Sequence, residues 1–418
     1  MKRFTITILM ILLAATVFAE GRTEQPQEDM TIAVCGVGVS GWAESDFLAT
    51  ISERYPFVTF EYYEADIATG EDVTMIALMA SGDAPDIYTD FIGRAGKYVT
   101  PKFALPLEID ESVWFADQIA PFKRGGKLYA LPEAVPAQAM AVNLALIEEA
   151  GYELPDGLGW TISDFLDMAR AVRDNTDEYA TGLFAASPSA DYLWVNWFAS
   201  FGVDNLFADE YTRSVANDPK MLDAWRFFDT LMQEGFIHPN SAMWGAGDFL
   251  QAIGNGNMAA YGARMGWPTG MQKNYNKDGE HYEWVAKSFP SLDGEPVATA
   301  GGGHIIIGHK TENPLRAAII TDIMLAYTSR EMQFEKTRLS GIPTRKDVPI
   351  STEMNPGEDI VVYLAQNFGL MDVGFPNRWY YETRSAGPTV LQPLLQGKIT
   401  PEEAHQLYYE KITEIING

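Results

Sequence analysis

The most explicitly spaced residues that could do chemistry are glycines. Gly36, Gly38 and Gly41 match G-x-G-x-x-G directly after an apolar run, and Glu61 and Glu64 follow near the end of the next one. A dinucleotide-binding turn needs this arrangement. Glycines let the backbone approach a pyrophosphate, a helix N-terminus receives it, and a carboxylate takes the ribose hydroxyls. The receiving helix here would open with Glu44 and Asp46, whose charges repel phosphate. The glycines therefore read as a loop at a strand end with Trp42 beside it, and no cofactor is expected.

Other catalytic sets are not found. His238, His281, His304, His309 and His405 are scattered without metal-ligand spacing, and HExxH and G-x-S-x-G are absent. The single cysteine, Cys35, lies within an apolar run and reads as a small core residue. The carboxylates are too numerous to nominate a pair. Neither a metal nor catalysis is expected.

The aromatic residues are more informative. Ten Trp and nineteen Tyr are present, and Trp42, Tyr192, Trp194, Trp197, Trp244, Trp267 and Trp379 fall in segments that read as loops or helix starts. A sugar has an apolar C–H face that packs on an aromatic ring and rim hydroxyls that need donors and acceptors. Aromatics interleaved with Asp191, Asn196, Arg264 and Arg378 suit such a ligand. Most Trp and Tyr in any protein are core, so only a subset of these seven is expected at a site.

Strands and helices alternate in the stretch that must position these groups. Thr31–Val34, Val58–Tyr63 and Asp86–Tyr88 read as strands. Ala43–Tyr55, with Phe47, Leu48 and Ile51 on one side, and Glu71–Ala80 read as helices. Short strand-helix connections point to an α/β layer architecture. The rest is more helical and clearly capped. Thr161 with Asp164 forms a capping box, Trp160 and Phe165 a hydrophobic staple, and Asp218-Pro219, Asn313-Pro314 and Thr400-Pro401 open helices. Gly235 closes the helix that Asp218-Pro219 opens, Gly125-Gly126 turns the chain before a strand ending at Pro132, and Gly341 reads as the residue after a helix. The last helix carries Ala404, Leu407, Tyr408 and Ile412. Neither a repeat nor a low-complexity linker separates the chain.

The N-terminus reads as a secretory signal peptide. Lys2 and Arg3 precede an apolar run, Ile6–Ala15, too short to span a bilayer, and cleavage is expected near Ala19. Glu20 stands where a lipoprotein would have cysteine, so a soluble periplasmic protein is expected. The formal charge is −27 before Lys2 and Arg3 are lost with the leader. That charge argues against nucleic acid and anionic membranes as partners and favours a soluble monomer.

Several motifs, in order, resemble the type 1 extracellular solute-binding proteins, whose best-known members bind maltose and other sugars. They are ASGDAPDI (80–87), LPLE (105–108), GGKLYALP (125–132), VNLALIEEAGYELP (142–155) and GWTISDFL (159–166). FLQAIGNGNMAAYG (249–262), GGGHIII (301–307), NPLRAA (313–318), SGIPTRK (340–346) and LLQGKITPEEA (394–404) complete the series. Val142 departs from the family's Tyr-Asn, and Met258 falls one residue early. The resemblance implies the two-lobed type II periplasmic binding protein fold, with an α/β sheet flanked by helices in each lobe and a ligand cleft at the hinge. It puts lobe one at 30–130 plus 298–345 and lobe two at 136–295 plus 350–418, with crossovers near Glu133, 295–298 and 348–350. By analogy Ser40, Trp42, Asp90, Glu133, Gln138, Gly301 and Gly302 line the cleft, joined by Asp191, Tyr192, Trp194, Asn196, Arg264, Trp267, Arg378 and Trp379. It implies hinge closure on a small polar solute, a sugar or oligosaccharide, and delivery to the transmembrane permease subunits of an ABC importer. A polyamine or polyol phosphate remains an alternative ligand, and a secreted glycan-active enzyme the alternative class.

Overall fold

A computed structural model describes residues 29–36, 39, 42, 45–64, 78–79, 81–92, 99–187, 196–203, 205–209, 212–264, 270–272, 274, 282–300, 303–338, 341–351, 361–362 and 380–418. The chain enters through strand β1 (Met30–Gly36), helix α1 (Asp46–Arg54), strand β2 (Val58–Glu64) and strand β3 (Ile87–Phe91). Helix α1 buries Phe47, Leu48 and Ile51, the face its spacing predicts. Most of the helix expected over Glu71–Ala80 lies outside the described residues. Gly125 and Gly126, both at positive φ, turn a short hairpin of β4 (Lys123–Arg124) and β5 (Lys127–Leu128).

Strand β6 (Leu131–Asn143) has 13 residues and corrects the expectation of a strand ending at Pro132. Pro132 and Pro136 do not stop it. Pro132 lies beside a register shift, and prolines are tolerated at strand starts and bulges.

Beyond β6 come helices α2 (Ile162–Asn175), α3 (Asn196–Ser200), α4 (Pro219–Gln233) and α5 (Ala246–Asn255), then strands β7 (Ala260–Arg264), β8 (Trp284–Lys287), β9 (Thr299–Ala300) and β10 (His304–Gly308). Helices α6 (Pro314–Tyr327) and α7 (Arg330–Thr337), strand β11 (Gly341–Ile342), and helices α8 (Tyr380–Leu395) and α9 (Pro401–Asn417) follow. The capping box at Thr161 forms with both reciprocal bonds, and Trp160 meets Phe165 edge-on at 5.6 Å. Gly341 is a strand residue and not the cap of α7. Its backbone pairs with Pro136, a tertiary contact that local turn chemistry does not reveal.

Apart from the β4–β5 hairpin, these strands join one sheet in the order β8-β6-β10-β3-β1-β2, with β7, β9 and β11 also paired to β6. Strand β1 runs parallel to β2 and β3, whereas β10 is antiparallel to both β3 and β6. Gly36 belongs to this packing. At φ 136 its backbone lies so close to Thr89 of β3 that a Cβ would strike the Thr89 carbonyl oxygen.

The hydrophobic interior falls into two clusters. One gathers Ile32, Val34, Ile87, Tyr88, Leu131, Ile305, Ile306, Ile307, Ile320, Ile323 and Met324 around the β1-β2-β3-β10 end, with Cys35 buried among them as expected. The other gathers Met140, Val142, Trp160, Phe165, Trp197, Phe198, Trp225, Phe228, Tyr261, Leu391, Tyr408, Ile412 and Ile342. In the second, Trp197 packs on Phe227 at 4.9 Å and Phe165 at 5.2 Å. Burying each such side chain contributes about 1.5–3 kcal/mol, so each cluster is a core in its own right. Strand β6 contributes Leu131 to the first cluster and Ala137, Ala139, Met140, Ala141 and Val142 to the second. No helix among the described residues is long and apolar enough to cross a membrane.

Candidate ligand-binding site

Strand β6 organises the site because it belongs to both ends of the sheet. Leu131 and Pro132 pair with Ile306 and Ile305 of β10, and Ala134 pairs with His304. The register therefore slips at Glu133, which stands as an extra residue opposite β10. Such a bulge bends the strand and re-aims its side chain. Beyond it, Val135 and Pro136 pair with β11, Ala137 and Gln138 with β9, and Gln138 to Val142 with β7. The partner set changes completely within a few residues.

These registers place several nominated residues on one level. Asp90 lies opposite Ile305, which lies opposite Pro132, so Asp90 and Glu133 share the end of the first sheet where parallel β1 and β3 terminate. Open α/β sheets bind ligands outside the C-terminal ends of such strands. On the other side of the switch, Gln138 pairs with Arg264 at the C-terminal end of β7 and with Thr299. Gln138 is 1% exposed and Asp90 6%, while Arg264 is half-buried. The arrangement places amide, carboxylate and guanidinium chemistry on two sheet ends that meet at β6.

Glu133 has partners within the protein. Its Oε1 accepts from the Tyr327 hydroxyl at 2.7 Å and from Lys336 Nζ, and its Oε2 lies 3.4 Å from His304 Nδ1. Lys336 also sits 3.2 Å from the centroid of the Tyr327 ring. Burial alone would raise the Glu133 carboxyl. The His304 hydrogen bond and the Lys336 charge hold it instead at about 2. Burial likewise lowers Lys336 to about 8, an effect that Glu133 partly offsets. Burial and the Glu133 charge together raise the Tyr327 phenol well above its ordinary range. Removing one partner of a buried ion pair leaves an uncompensated charge and costs about 3–5 kcal/mol.

Trp42 joins this set through Tyr327, with ring centroids 4.5 Å apart, and packs edge-on to Phe47 at 5.2 Å. It is 3% exposed, so the surrounding side chains cover it in this conformation. Asn196 begins α3 within the second core and does not share the β6 register. Ser40, Asp191, Tyr192, Trp194, Trp267, Gly301, Gly302, Arg378 and Trp379 lie outside the described residues. Sequence reasoning did not nominate His304, Tyr327 or Lys336. A histidine opening a strand in GGGHIII was a usable signal, but Lys336 gave none.

Two recurrent motifs prove to be structural. Asp86 of ASGDAPDI accepts from the Arg316 guanidinium of NPLRAA at 2.6 and 2.7 Å and from the Ala33 amide at 3.0 Å. That pairing ties the start of β3 to α6 and β1. Among the described residues, no group of three or more His, Cys, Asp or Glu could hold a metal ion.

The model of the bacterial extracellular solute-binding protein family matches residues 45–317. Among solved structures, the sugar-binding protein MalE from Xanthomonas citri is 14% identical with a TM-score of 0.75, covering 93% of this chain and 97% of that one. The maltose-bound MalE3 of T. maritima is 17% identical with a TM-score of 0.71, covering 92% and 99%. An ABC transporter solute-binding protein from Thermotoga lettingae, bound with alpha-D-tagatose, is 20% identical with a TM-score of 0.67, covering 93% and 100%. At these identities the likeness concerns the fold, a two-lobed α/β architecture of the periplasmic binding type.

Proposed function

This chain belongs to the family of bacterial extracellular solute-binding proteins, and on that premise we propose that it captures a sugar or oligosaccharide by hinge closure for an ABC importer. The observation that carries the reading is the partner switch along β6. There, Asp90 stands at the end of one part of the sheet, and Gln138 and Arg264 stand on the other side of the switch. Hydroxyl-rich ligands need such mixed donors and acceptors. The sugars named for the MalE3 and Thermotoga lettingae structures support the same ligand class.

In this reading lobe one comprises about 30–130 plus 298–345 and lobe two about 136–295 plus 350–418. The two hydrophobic clusters support that division, with one adjustment. Strand β9 pairs with the second-core part of β6, which favours a crossing after Ala300, while Thr344 and Lys346 still bond Phe115 and Val113 on the first-core side, which favours a last crossing near 348–350. The protein acts after cleavage near Ala19, as a periplasmic monomer that catalyses nothing and docks on membrane permease subunits. Contacts from both lobes to one solute favour the closed form, a shift limited by the ligand's differential affinity for the two states.

Thermal unfolding of the mature protein against mono-, di- and oligosaccharides tests this reading, with polyamines and polyol phosphates as controls. Ligand at a hundred times its dissociation constant stabilises the fold by about 2.7 kcal/mol. A shift with one sugar class and no product on incubation is expected. A shift only with a charged control would overturn the ligand class, and turnover of a bound glycan would overturn the transport role.

A further inference from the structure

Three segments of the chain pass between the two cores, and their roots converge on one charged cluster. Strand β6 crosses after its bulge at Glu133, and β9–β10 returns past it with His304 as the first residue of β10. Helix α7 holds Lys336 in its last turn and leads into β11, whose Ile342 touches the second core before Thr344 and Lys346 bond Phe115 and Val113 on the first-core side, ahead of the last crossing. The fourth member, Tyr327, ends α6, the helix that builds the first core. Glu133 thus joins β6, the start of β10, the end of α6 and the helix α7 that feeds the last crossing, all on the first-core side.

We infer that the Glu133–Lys336–Tyr327–His304 cluster is a latch that fixes the roots of the hinge and so limits the range of lobe orientations. The inference rests on the two-lobed hinge reading above but on no particular ligand. With the cluster intact, bending is confined to the few residues past the bulge, where β6 holds β9 and β11. Once Glu133 is released, the bulge itself becomes part of the flexible length, and the lobes sample a wider range.

The latch contains its own titratable element. Lys336 faces Glu133 from β6, Tyr327 from α6 and, across the Glu133 carboxylate, His304 from β10. Strand β11 offers only Gly341 and Ile342, and Trp42 beyond Tyr327 carries no charge. Glu133 stays ionised and Tyr327 protonated at every pH at which Lys336 gives up its proton, which burial brings down to about 8. Above that pH the carboxylate loses its charged partner, and the latch should loosen.

The test is an interlobe distance distribution from pulsed electron–electron resonance on the ligand-free mature protein. Spin labels go on cysteines introduced by Glu53→Cys on α1 and Glu410→Cys on α9, both exposed, with the sole native cysteine removed by Cys35→Ala. The double variant E133Q–K336M leaves no buried charge unpaired, and Y327F removes only one oxygen. Both should keep the parent circular dichroism and broaden the distribution at pH 7. The parent should broaden between pH 7 and pH 9.5, whereas E133Q–K336M should not change with pH. Unchanged widths in folded variants, or a pH response that survives E133Q–K336M, would overturn the latch. If the double variant does not fold, Y327F decides alone. If no solute in the sugar panel narrowed the parent distribution, the ligand reading would fail while the latch result stood.

Discussion

Gln333 offers a direct test of how the crossing segments are held. It is 0% exposed, on α7, and bridges three pieces of backbone. Its Oε1 accepts from the amides of Thr344 at 2.9 Å and Arg345 at 3.2 Å, and its Nε2 donates to Thr344 Oγ1 at 2.7 Å and Pro132 O at 3.4 Å. Gln333→Met keeps the volume and removes every polar atom, so the loss is not that of a cavity. Pro132 O retains a bond from Thr344 Oγ1 at 3.2 Å, but the two amides lose their acceptor. A buried donor left unmade costs about 1–3 kcal/mol, which for two gives about 2–6 kcal/mol. That is a large share of a typical stability of about 5–15 kcal/mol. Urea unfolding measures the loss, and native-state hydrogen exchange should accelerate at the Thr344 and Arg345 amides. A loss below about 0.5 kcal/mol, the range of an ordinary surface change, with exchange unaltered would refute the reasoning.

Two further outcomes follow from the packing and the titratable groups. Gly36→Ala forces a side chain into a positive-φ position against Thr89. Strain alone costs about 1–3 kcal/mol, and the collision adds to it, so the urea midpoint should fall. Burial lowers His238, His309 and His405 below the ordinary value of 6.5. In this window the unfolded chain takes up protons that the folded chain refuses, so stability should fall as pH drops below 6.5. Melting temperatures at pH 7.5 and 5.5 measure this. His238→Gln should remove part of the difference, because burial, with the ring packed 4.2 Å from Trp244, is what disfavours the protonated His238.

What was legible in the sequence was what local chemistry dictates. Thr161 and Asp164, Asn313-Pro314 and Thr400 mark helix starts because a cap satisfies amides within a few residues. Phe47, Leu48 and Ile51 mark a buried face because helical spacing is itself local. The strand expected to end at Pro132 was misjudged because the pairings that carry it to Asn143 come from β7 and β8, more than a hundred residues downstream. Gly341 looked like a helix cap for the same reason. The Glu133 cluster was hidden more deeply, since Tyr327 lies 194 residues from Glu133 and only the fold brings them together. The G-x-G-x-x-G match carried a different meaning from its usual one. Gly36 is required by the close Thr89 backbone. The aromatic signal was diluted because Trp197 and Trp244, two of the seven aromatics singled out, are core.

Small-angle scattering of the mature protein, with and without the sugar that raises its melting temperature most, tests the central claim most directly. Capture by hinge closure predicts a smaller radius of gyration at saturating sugar, reversed on its removal. An unchanged radius with the sugar bound would contradict closure, and no sugar binding at all would contradict the proposed cargo.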